Sequence, residues 1–215
     1  MAQVELFART EVGCVRKRNE DHFVVANLAS REQGLQVGAR VQQLSMGGTL
    51  IAVCDGMGGA AAGDLASSIA GVVYMLHGMG TTMTAVLALG GELLIGHVGD
   101  SRAYLRRGRA LTQLTTDHSI VGQLIAAGRL QPEQARSYEH RNVLLQALGV
   151  QPRVGPELIQ AQLRAGDVLL LCSDGLTGPL TDEAILALML RYQDPLRCCR
   201  ALTEAACAAG GPDNV

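Results

Sequence analysis

Short apolar or alternating segments, bounded by glycine, aspartate or proline, recur along the chain and predict β-strands. The predicted strands cover residues 4–10, 23–27, 49–54, 82–89, 93–98, 103–106, 157–163 and 168–172. GGEL at 90–93 and RRGRA at 106–110 have the composition of hairpin turns. These patterns predict antiparallel strand pairs joined by tight connections.

Other segments carry apolar residues at helical spacing and predict helices over 63–76, 119–127, 132–138, 182–192 and 195–209. Asp182 is the expected N-cap of the fourth helix, with Thr181 as the competing residue, since Glu183 follows in the first turn. The helices stand apart from the consecutive strands. This order predicts an α+β fold with antiparallel sheets rather than alternating βαβ units.

Composition narrows the class of protein. A chain of 215 residues, 48% hydrophobic and 18% charged, suits a single domain over 1–215 with a sizeable core. The net charge of −2 gives no electrostatic reason to expect nucleic acid or an acidic membrane as partner, and no apolar run is long enough to span a bilayer. The six cysteines form no C-x-x-C pair, so we expect reduced, buried thiols in a cytoplasmic protein.

Acidic residues collect where predicted strands end or turn. Three aspartates follow apolar runs and two further acidic clusters flank them: Asp55 in TLIAVCDG, Asp100 in LLIGHVGDS, Asp174 in DVLLLCSDG, Glu20 and Asp21 in RKRNED, and Asp213 in GGPDN. Carboxylates gathered at one edge repel each other unless cations join them. Hard oxygen ligands favour Mg²⁺ or Mn²⁺.

The glycine after Asp55 adds to this hypothesis, because a residue with no side chain lets the backbone approach a metal. The Gly56 carbonyl is therefore a candidate ligand. The alternative is a set of ordinary turns, since Asp-Gly is a common turn dipeptide and Asp100 in GDSR suits an Asx-turn. The number of acids at strand ends, rather than any single one, favours a metal site.

Beyond these patterns, the chain resembles the metal-dependent Ser/Thr protein phosphatases of the PPM (type 2C) family in their bacterial form. The matching segments occur in the family's order and cover most of the chain: VGCVRKRNEDHF (12–23), VCDGMGGAAAGDLAS (53–67), GMGTTMTAVL (78–87), HVGDSRAYLRRG (97–108), LTTDHSIV (114–121), HRNVLLQALG (140–149), GDVLLLCSDGLTG (166–178) and GGPDNV (210–215). The resemblance implies a central antiparallel β-sandwich flanked by helices, with a two-metal site at one end.

The resemblance also implies a set of metal ligands. Asp55 would bridge both ions, the Gly56 carbonyl would bind one of them, and Asp21 would serve one ion partly through water. Asp174 and Asp213 would complete the ligands of the other ion. The remaining implied roles are these: Glu20 holds metal-bound water, Asn214 orients Asp213, Asp117 binds a third, weaker metal together with Asp174, and Asp100 supports the ligands or joins that third site.

Arg16, five residues before Asp21, stands where the family has its phosphate-binding arginine. A guanidinium can bind two phosphate oxygens in a fork, which lysine cannot do. The alternative is a surface charge in a basic turn with Lys17 and Arg18. Met57 replaces a histidine that eukaryotic members use as a proposed general acid, so the source of the leaving-group proton stays open.

The implied reaction is hydrolysis of phosphoserine and phosphothreonine by in-line attack of a water activated between two Mn²⁺ or Mg²⁺ ions, with Arg16, Asp55 and Asp174 as the main catalytic groups. The expected partners are proteins that a Ser/Thr kinase has phosphorylated in signalling. We expect the enzyme to be a cytoplasmic monomer. Two alternatives remain: a catalytically silent domain that binds a partner, and a phosphatase of small molecules.

Two departures from the family bear on these expectations. The stretch 63–78 leaves room for about one helix where relatives have two. GGPDNV lacks the closing apolar strand that follows it in relatives, so we expect Asp213 to lie in a frayed segment beside an exposed sheet edge. The segment 116–141 corresponds to a mobile flap that selects substrates, or else to a plain helical excursion on the surface.

Overall fold

The computed structural model describes residues 3–27, 32–34, 40–43, 48–57, 80–135, 137–151 and 153–215. The strands are β1 Gln3–Leu6, β2 Asp21–Asn27, β3 Glu32–Gly34, β4 Arg40–Gln43, β5 Thr49–Met57, β6 Gly80–Thr81, β7 Met83–Leu89, β8 Glu92–Val98, β9 Arg102–Arg107, β10 Ala110–Gln113, β11 Glu157–Gln162 and β12 Val168–Cys172. The helices are α1 Ile120–Ala126, α2 Pro132–Ala135, α3 Asp174–Thr177, α4 Asp182–Arg191 and α5 Pro195–Ala208.

The described strands form antiparallel sheets. The large sheet has the order β11-β8-β7-β5-β2-β3, with β6 pairing to β5, and a smaller sheet has the order β10-β9-β12. A separate pair joins β1 and β4. Gly90 and Gly91 make the turn between β7 and β8 with positive φ angles of 59° and 93°, which glycine adopts without steric cost.

Alternating burial along β7 and β8 builds the core between the two sheets. In β8, Leu93 and Ile95 are almost fully buried, whereas Leu94 between them is 43% exposed. Val86 of β7 and Ala103 of β9 belong to the same apolar cluster, and leucines of β12 pack against it. The period of two along the strands therefore places one face of the large sheet on the small sheet, as in a β-sandwich.

The outer face of the small sheet is covered by α4 and α5. Tyr104 of β9, Ile185 and Met189 of α4, and Leu202 of α5 lie in one buried cluster. Ile185 and Met189 are four residues apart and so share one face of their helix. The Tyr104 hydroxyl donates to Asp182 at the start of α4 (3.0 Å), which ties the helix to the sheet. The predicted α+β fold, an antiparallel β-sandwich flanked by helices, is confirmed.

Most predicted elements are present, with three corrections. Thr181, not Asp182, caps α4, because its side chain accepts a hydrogen bond from the Ala184 backbone N–H. Asp55 lies within β5 rather than after its end. Asp174 begins a helical turn, α3, which the sequence patterns did not predict. The predicted helix over 63–76 and the question of the short 63–78 stretch lie outside the described residues.

The backbone of the segment after α5 is hydrogen-bonded at Val215 to Glu11. This corrects the expectation that Asp213 lies in a frayed segment. The amide of Val215 donates to the Glu11 carbonyl, and the Glu11 amide donates back to Val215, at 2.9 and 2.8 Å. A Cβ on Gly13 would overlap the Asp213 carbonyl oxygen, and one on Gly175 would overlap that of Asn214. Glycine at both positions therefore lets this segment approach closely.

The cysteines are all reduced in the structure, but the expectation that all are buried was wrong. Cys54, Cys172 and Cys198 are buried, Cys199 and Cys207 are half-buried, and Cys14 is exposed. Among the described residues, no helix is both long and apolar enough to cross a membrane.

Candidate metal-binding cleft

The pairing of β2 with β5 brings two predicted ligands together. Asp21 and Asp55 are Cα partners in this antiparallel register. The Asp55 carboxyl group lies within hydrogen-bonding reach of both Asp21 and Asp174, although these three residues are far apart in the chain. Asp55 therefore stands between the other two, which is the position that a bridging ligand requires.

A cleft of about 490 Å³ opens above Asp55. Most of the predicted site residues line it: Arg16, Glu20, Asp55, Gly56, Asp100, Asp174, Asp213 and Asn214. Asn142 and Leu144, which follow the predicted flap segment, contribute to the wall, as do Lys17 and Arg18. The structure thus gathers acids from separate segments of the chain around one space and places basic side chains at the same opening.

Asp21 does not line this cleft but lines a second pocket together with Ser173. It is 5% exposed, and the hydroxyl of Ser173 donates a hydrogen bond to its Oδ2 at 2.5 Å. Ser173 directly precedes Asp174, so a single segment at the end of β12 supports one acid and supplies another. Sequence reasoning missed Ser173. The serine in SDG is the only trace of this role in the sequence.

The backbone of Asp55 is fixed from the side of β6. Its amide donates to the Thr82 hydroxyl (3.0 Å), and its carbonyl accepts from the Thr81 hydroxyl (2.8 Å) and the Thr82 amide (2.9 Å). Gly56 is held in turn by its amide, which donates to the Glu20 carbonyl (3.1 Å). The Thr-Thr pair was also missed, because its role depends on a contact between residues distant in sequence.

Asn214 holds the Asp213 segment against the segment before β2. Its Oδ1 accepts from the Glu20 amide, and its Nδ2 donates to the carbonyls of Val12 and Arg18, each at 2.8 Å. The Asn214 amide also donates to Asp213 Oδ1 at 2.9 Å. Asn214 is 4% exposed, so these bonds are shielded from water. They fit the expected orienting role.

Arg16 reaches across the rim of the cleft to the same segment. Its Nη2 lies 2.6 Å from Asp213 Oδ2, and its side chain is 56% exposed. Because the pair is so exposed, the attraction between the two charges is partly screened by water. Arg16 therefore has an exposed guanidinium group beside the acids of the cleft.

The acids of the cleft are poorly compensated by protein groups. Burial, with the charge of Asp174 as a smaller cause, raises the pKa of Asp21 and of Asp100 to about 7, although the hydrogen bond from Ser173 lowers that of Asp21. Burial, then the charges of Asp21 and Asp174, raise the pKa of Asp55 well above its ordinary value. Asp174 Oδ1 is buried and has no hydrogen-bond partner among the residues that the structure describes.

Such a group of buried and half-buried carboxylates is unfavourable when ionised, and divalent cations relieve it. An orphaned carboxylate oxygen beside several others, all of them hard donors, suits Mg²⁺ or Mn²⁺ rather than a soft metal. The residues present therefore fit a divalent metal cofactor.

Asp117 is placed differently from the other predicted ligands. Arg102 Nε and Nη2 bond its carboxylate at 2.8 and 2.6 Å, and Gln113 donates to Oδ1 at 3.1 Å. Asp117 is not among the residues that line the cleft. Its third-metal role stays a prediction, and in this conformation its carboxylate is engaged by Arg102.

His97, Cys54 and Cys172 have contacts and burial that suit a role in packing rather than in catalysis. His97 is 1% exposed and its ring nitrogens contact the Thr84 hydroxyl (2.9 Å) and the Thr116 carbonyl (3.2 Å). His97, His118 and Glu157 have potential ligand atoms within 4.8 Å of one another, but Thr116 also donates to Glu157. Burial raises the pKa of the Cys54 and Cys172 thiols to about 12, which keeps them protonated.

Comparison with known proteins decides the family. The sequence profile described as Protein phosphatase 2C matches residues 74–206. Protein phosphatase PhpP of Streptococcus pneumoniae is 31% identical over 99% of this chain and 95% of its own length. The chain belongs to the protein phosphatase 2C family. The resemblance to PPM (type 2C) phosphatases, predicted from the sequence motifs, is confirmed.

Serine/threonine protein phosphatase PstP of Mycobacterium tuberculosis is 37% identical over the whole chain, which spans 45% of the length of PstP. A solved structure of the PstP catalytic domain in complex with two manganese ions superimposes on this PP2C chain with a TM-score of 0.78, at 34% identity, over 99% of the chain and 96% of that structure. This relative therefore binds manganese on a fold shared with the present chain.

Proposed function

We propose that this PP2C chain is a metal-dependent protein phosphatase that hydrolyses phosphoserine and phosphothreonine. One observation carries the proposal: Asp55 lies between Asp21 and Asp174 at the base of a cleft whose rim carries Arg16. Buried and half-buried acids that suit divalent cations, next to an exposed guanidinium, match a phosphate ester held between positive charges. The named phosphatase relatives support the same reaction.

The metal ligands that we propose are Asp21, Asp55, the Gly56 carbonyl, Asp174 and Asp213, holding two Mn²⁺ or Mg²⁺ ions, with Glu20 binding their water. When bound, such ions supply a water of lowered pKa and neutralise phosphate charge. Ser173 holds Asp21 in place, and the threonines of β6 and its end hold Asp55, so the two acids are oriented before any ligand arrives. Asp117 and Asp100 stand as candidates for a third, weaker ion.

The proposed part of Arg16 is to bind the phosphate. Its side chain already lies at the mouth of the cleft and pairs with Asp213 through one nitrogen. Rotation of this exposed side chain toward the cleft would present two N–H groups to two phosphate oxygens, in the fork that a planar guanidinium offers. Neutralising and orienting the ester in this way favours in-line attack on phosphorus, with no covalent enzyme intermediate.

As substrates, we propose proteins that a Ser/Thr kinase in the same cytoplasm has phosphorylated. The support comes from relatives that are named serine/threonine phosphatases. The cleft fits this class because Lys17, Asn142 and Leu144 on its wall can contact the peptide around a phosphorylated residue. The segment 116–141 precedes these wall residues, and its proposed role is that of a flap that selects among substrates.

The test measures phosphate release from a phosphothreonine peptide by metal-stripped protein after addition of Mn²⁺, Mg²⁺ or chelator. The variant Asp174→Asn removes one proposed ligand. Asp194→Asn is a matched control, because Asp194 caps α5 outside the cleft and asparagine caps a helix equally well. We expect turnover that needs metal, is lost in Asp174→Asn and is unchanged in Asp194→Asn.

Two outcomes would contradict the proposal. Release that persists in chelator, or that survives in Asp174→Asn, would remove the metal site from the reaction. Absence of turnover in the wild-type chain with Mn²⁺ and with Mg²⁺ would favour a silent binding domain. Parallel assays with small phosphate esters distinguish a protein phosphatase from a small-molecule one, since only the former gains from peptide contacts along the cleft wall.

A further inference from the structure

A pair of cysteines lies beside the cleft and takes no part in the proposed reaction. Cys14 lies in the connection between β1 and β2, and Cys207 in the last turn of α5. The two thiols are in hydrogen-bonding contact, and Cys14 Sγ lies 3.5 Å from the Cys207 carbonyl oxygen. They are separated by 193 positions in sequence, so the fold alone brings them together.

Gly211 makes this contact possible. A Cβ added there would come within 3.0 Å of Cys14 Sγ and 3.2 Å of the Cys207 Cα. Both cysteines therefore border the same small space, which any larger residue would fill. The Cys14 amide also donates to the Gly211 carbonyl at 2.9 Å, which holds the two segments in register.

The two thiols differ in their access to solvent. Cys14 is exposed, whereas Cys207 is half-buried, and burial followed by the neighbouring Cys14 thiol raises the pKa of Cys207. A soluble oxidant therefore meets Cys14 first and leaves Cys207 as the thiol that resolves the product. The other described cysteines are buried or half-buried, and Cys54 and Cys172 are kept protonated by burial.

We propose that Cys14 and Cys207 form a reversible intramolecular disulfide on exposure to hydrogen peroxide. The Cys14 sulfur, as thiolate, attacks one peroxide oxygen and breaks the O–O bond, which yields a sulfenic acid and, after protonation, water. The Cys207 sulfur then attacks the Cys14 sulfur and displaces its hydroxyl group as a second water. Two thiols and one peroxide thus give one disulfide and two waters, and a dithiol reductant reverses the change.

The bond would tie two segments that carry cleft residues. Cys14 precedes Arg16 by two positions, and α5 leads directly into the segment of Asp213, the ion-pair partner of Arg16. The Cys14–Gly211 hydrogen bond already joins those segments, which favours closure of the bond. Closing so long a loop restricts the unfolded chain, so we expect the oxidised protein to melt higher, by roughly 5–10 °C.

The test treats the reduced full chain with hydrogen peroxide and follows intact mass, non-reducing peptide maps and melting temperature. We expect a mass loss of about 2 Da, for the hydrogens that leave when a disulfide forms, and a cross-linked peptide that contains Cys14 and Cys207. Dithiothreitol should restore the starting mass. None of these readouts needs phosphatase activity, so the result stands apart from the function proposed above.

Single variants make the assignment specific. Cys14→Ser and Cys207→Ser should each abolish the cross-link, and only Cys207→Ser should leave a sulfenic acid that dimedone traps at residue 14. Cys198→Ser is the matched control, since Cys198 is buried on α5, and it should keep the bond. An unchanged mass, a bond from Cys14 to another cysteine, disulfide-linked dimers, or Cys14 oxidised further with no cross-link would each overturn the proposal.

Discussion

Asp21 and Asp55 face each other across the β2–β5 pair as Cα partners, and Asp21 is buried whereas Asp55 is half-buried. Like charges placed opposite one another in a sheet destabilise it. Here uncharged groups hold the arrangement in place: the Ser173 hydroxyl donates to the Asp21 carboxylate, and the Asp55 amide donates to the Thr82 hydroxyl. The fold thus maintains a local repulsion that a cation removes.

Replacing Asp55 should separate folding from activity. In Asp55→Asn the acid that lies between Asp21 and Asp174 becomes neutral, so the metal-free protein should need more urea to unfold than the wild type. The phosphatase kcat should fall by at least about 10²-fold, since loss of an outer partner alone typically costs 10–100-fold. Urea unfolding in chelator and phosphate-release kinetics with Mn²⁺ measure the two effects. A variant that is less stable in chelator, or fully active with metal, contradicts the account.

The raised carboxyl pKa values predict how stability depends on pH. Burial raises the pKa of Asp21 and Asp100 from 3.8 to about 7, so the folded state keeps protons that the unfolded chain releases. Stability from these groups is complete at low pH and is lost as pH rises through the folded-state values. The free energy of unfolding of metal-free protein should therefore decline between pH values of about 4 and about 7.

Saturating Mn²⁺ should remove that decline, because binding to the folded state alone adds stability where the carboxylates are ionised. Urea titrations at several pH values, with chelator and with Mn²⁺, provide the comparison. A metal-free stability that climbs steadily across this range would mean that the acids are compensated by protein groups after all.

Ser173 offers a test of positioning that leaves every proposed ligand intact. Ser173→Ala removes the hydrogen bond to Asp21 Oδ2. Mn²⁺ affinity should weaken by roughly 10-fold, within the range typical of partners that orient metal ligands. Ser137→Ala is the control, because Ser137 is exposed and bonds only the nearby Gln134 carbonyl among the contacts described for it. Calorimetric titration with Mn²⁺ measures both variants, and equal affinities would deny Ser173 this role.

Arg16 should act on substrate binding more than on stability. Its side chain is 56% exposed, so Arg16→Ala should leave the urea midpoint nearly unchanged. The KM for a phosphothreonine peptide should rise by roughly 10-fold or more, and Arg16→Lys should recover only part of this loss, because an ammonium lacks the fork geometry. Arg109→Lys, in the exposed β9–β10 turn, is the control. Full activity in Arg16→Lys would show that charge alone suffices.

Local patterns in the sequence predicted what depends on local physics. One apolar run predicted β12, and two adjacent glycines predicted the β7–β8 turn, because neighbouring residues determine each of these features. The position of Asp55 was predicted less well. An acid inside a strand breaks the expected alternation. The contacts that accommodate it involve Asp21, Thr81 of β6 and the adjacent Thr82, which no local pattern reveals.

Other features depend on contacts over long sequence distances and could not be read from the sequence. Arg102 binds Asp117 in a bidentate pair, which the motif TTDHS does not indicate. Asn214 holds the last described segment through bonds to Val12, Arg18 and Glu20, so it is ordered where its position in the sequence predicted fraying. The capping of α4 by Thr181 was a choice between adjacent residues that geometry alone decided.

Anomalous diffraction from crystals soaked in Mn²⁺ would locate the proposed metal ions. We expect two manganese peaks about 4 Å apart, both within bonding distance of the Asp55 carboxylate, with Asp21 on one side and Asp174 and Asp213 on the other. A single peak remote from Asp55, or manganese bound only at His97, His118 and Glu157, would contradict this expectation.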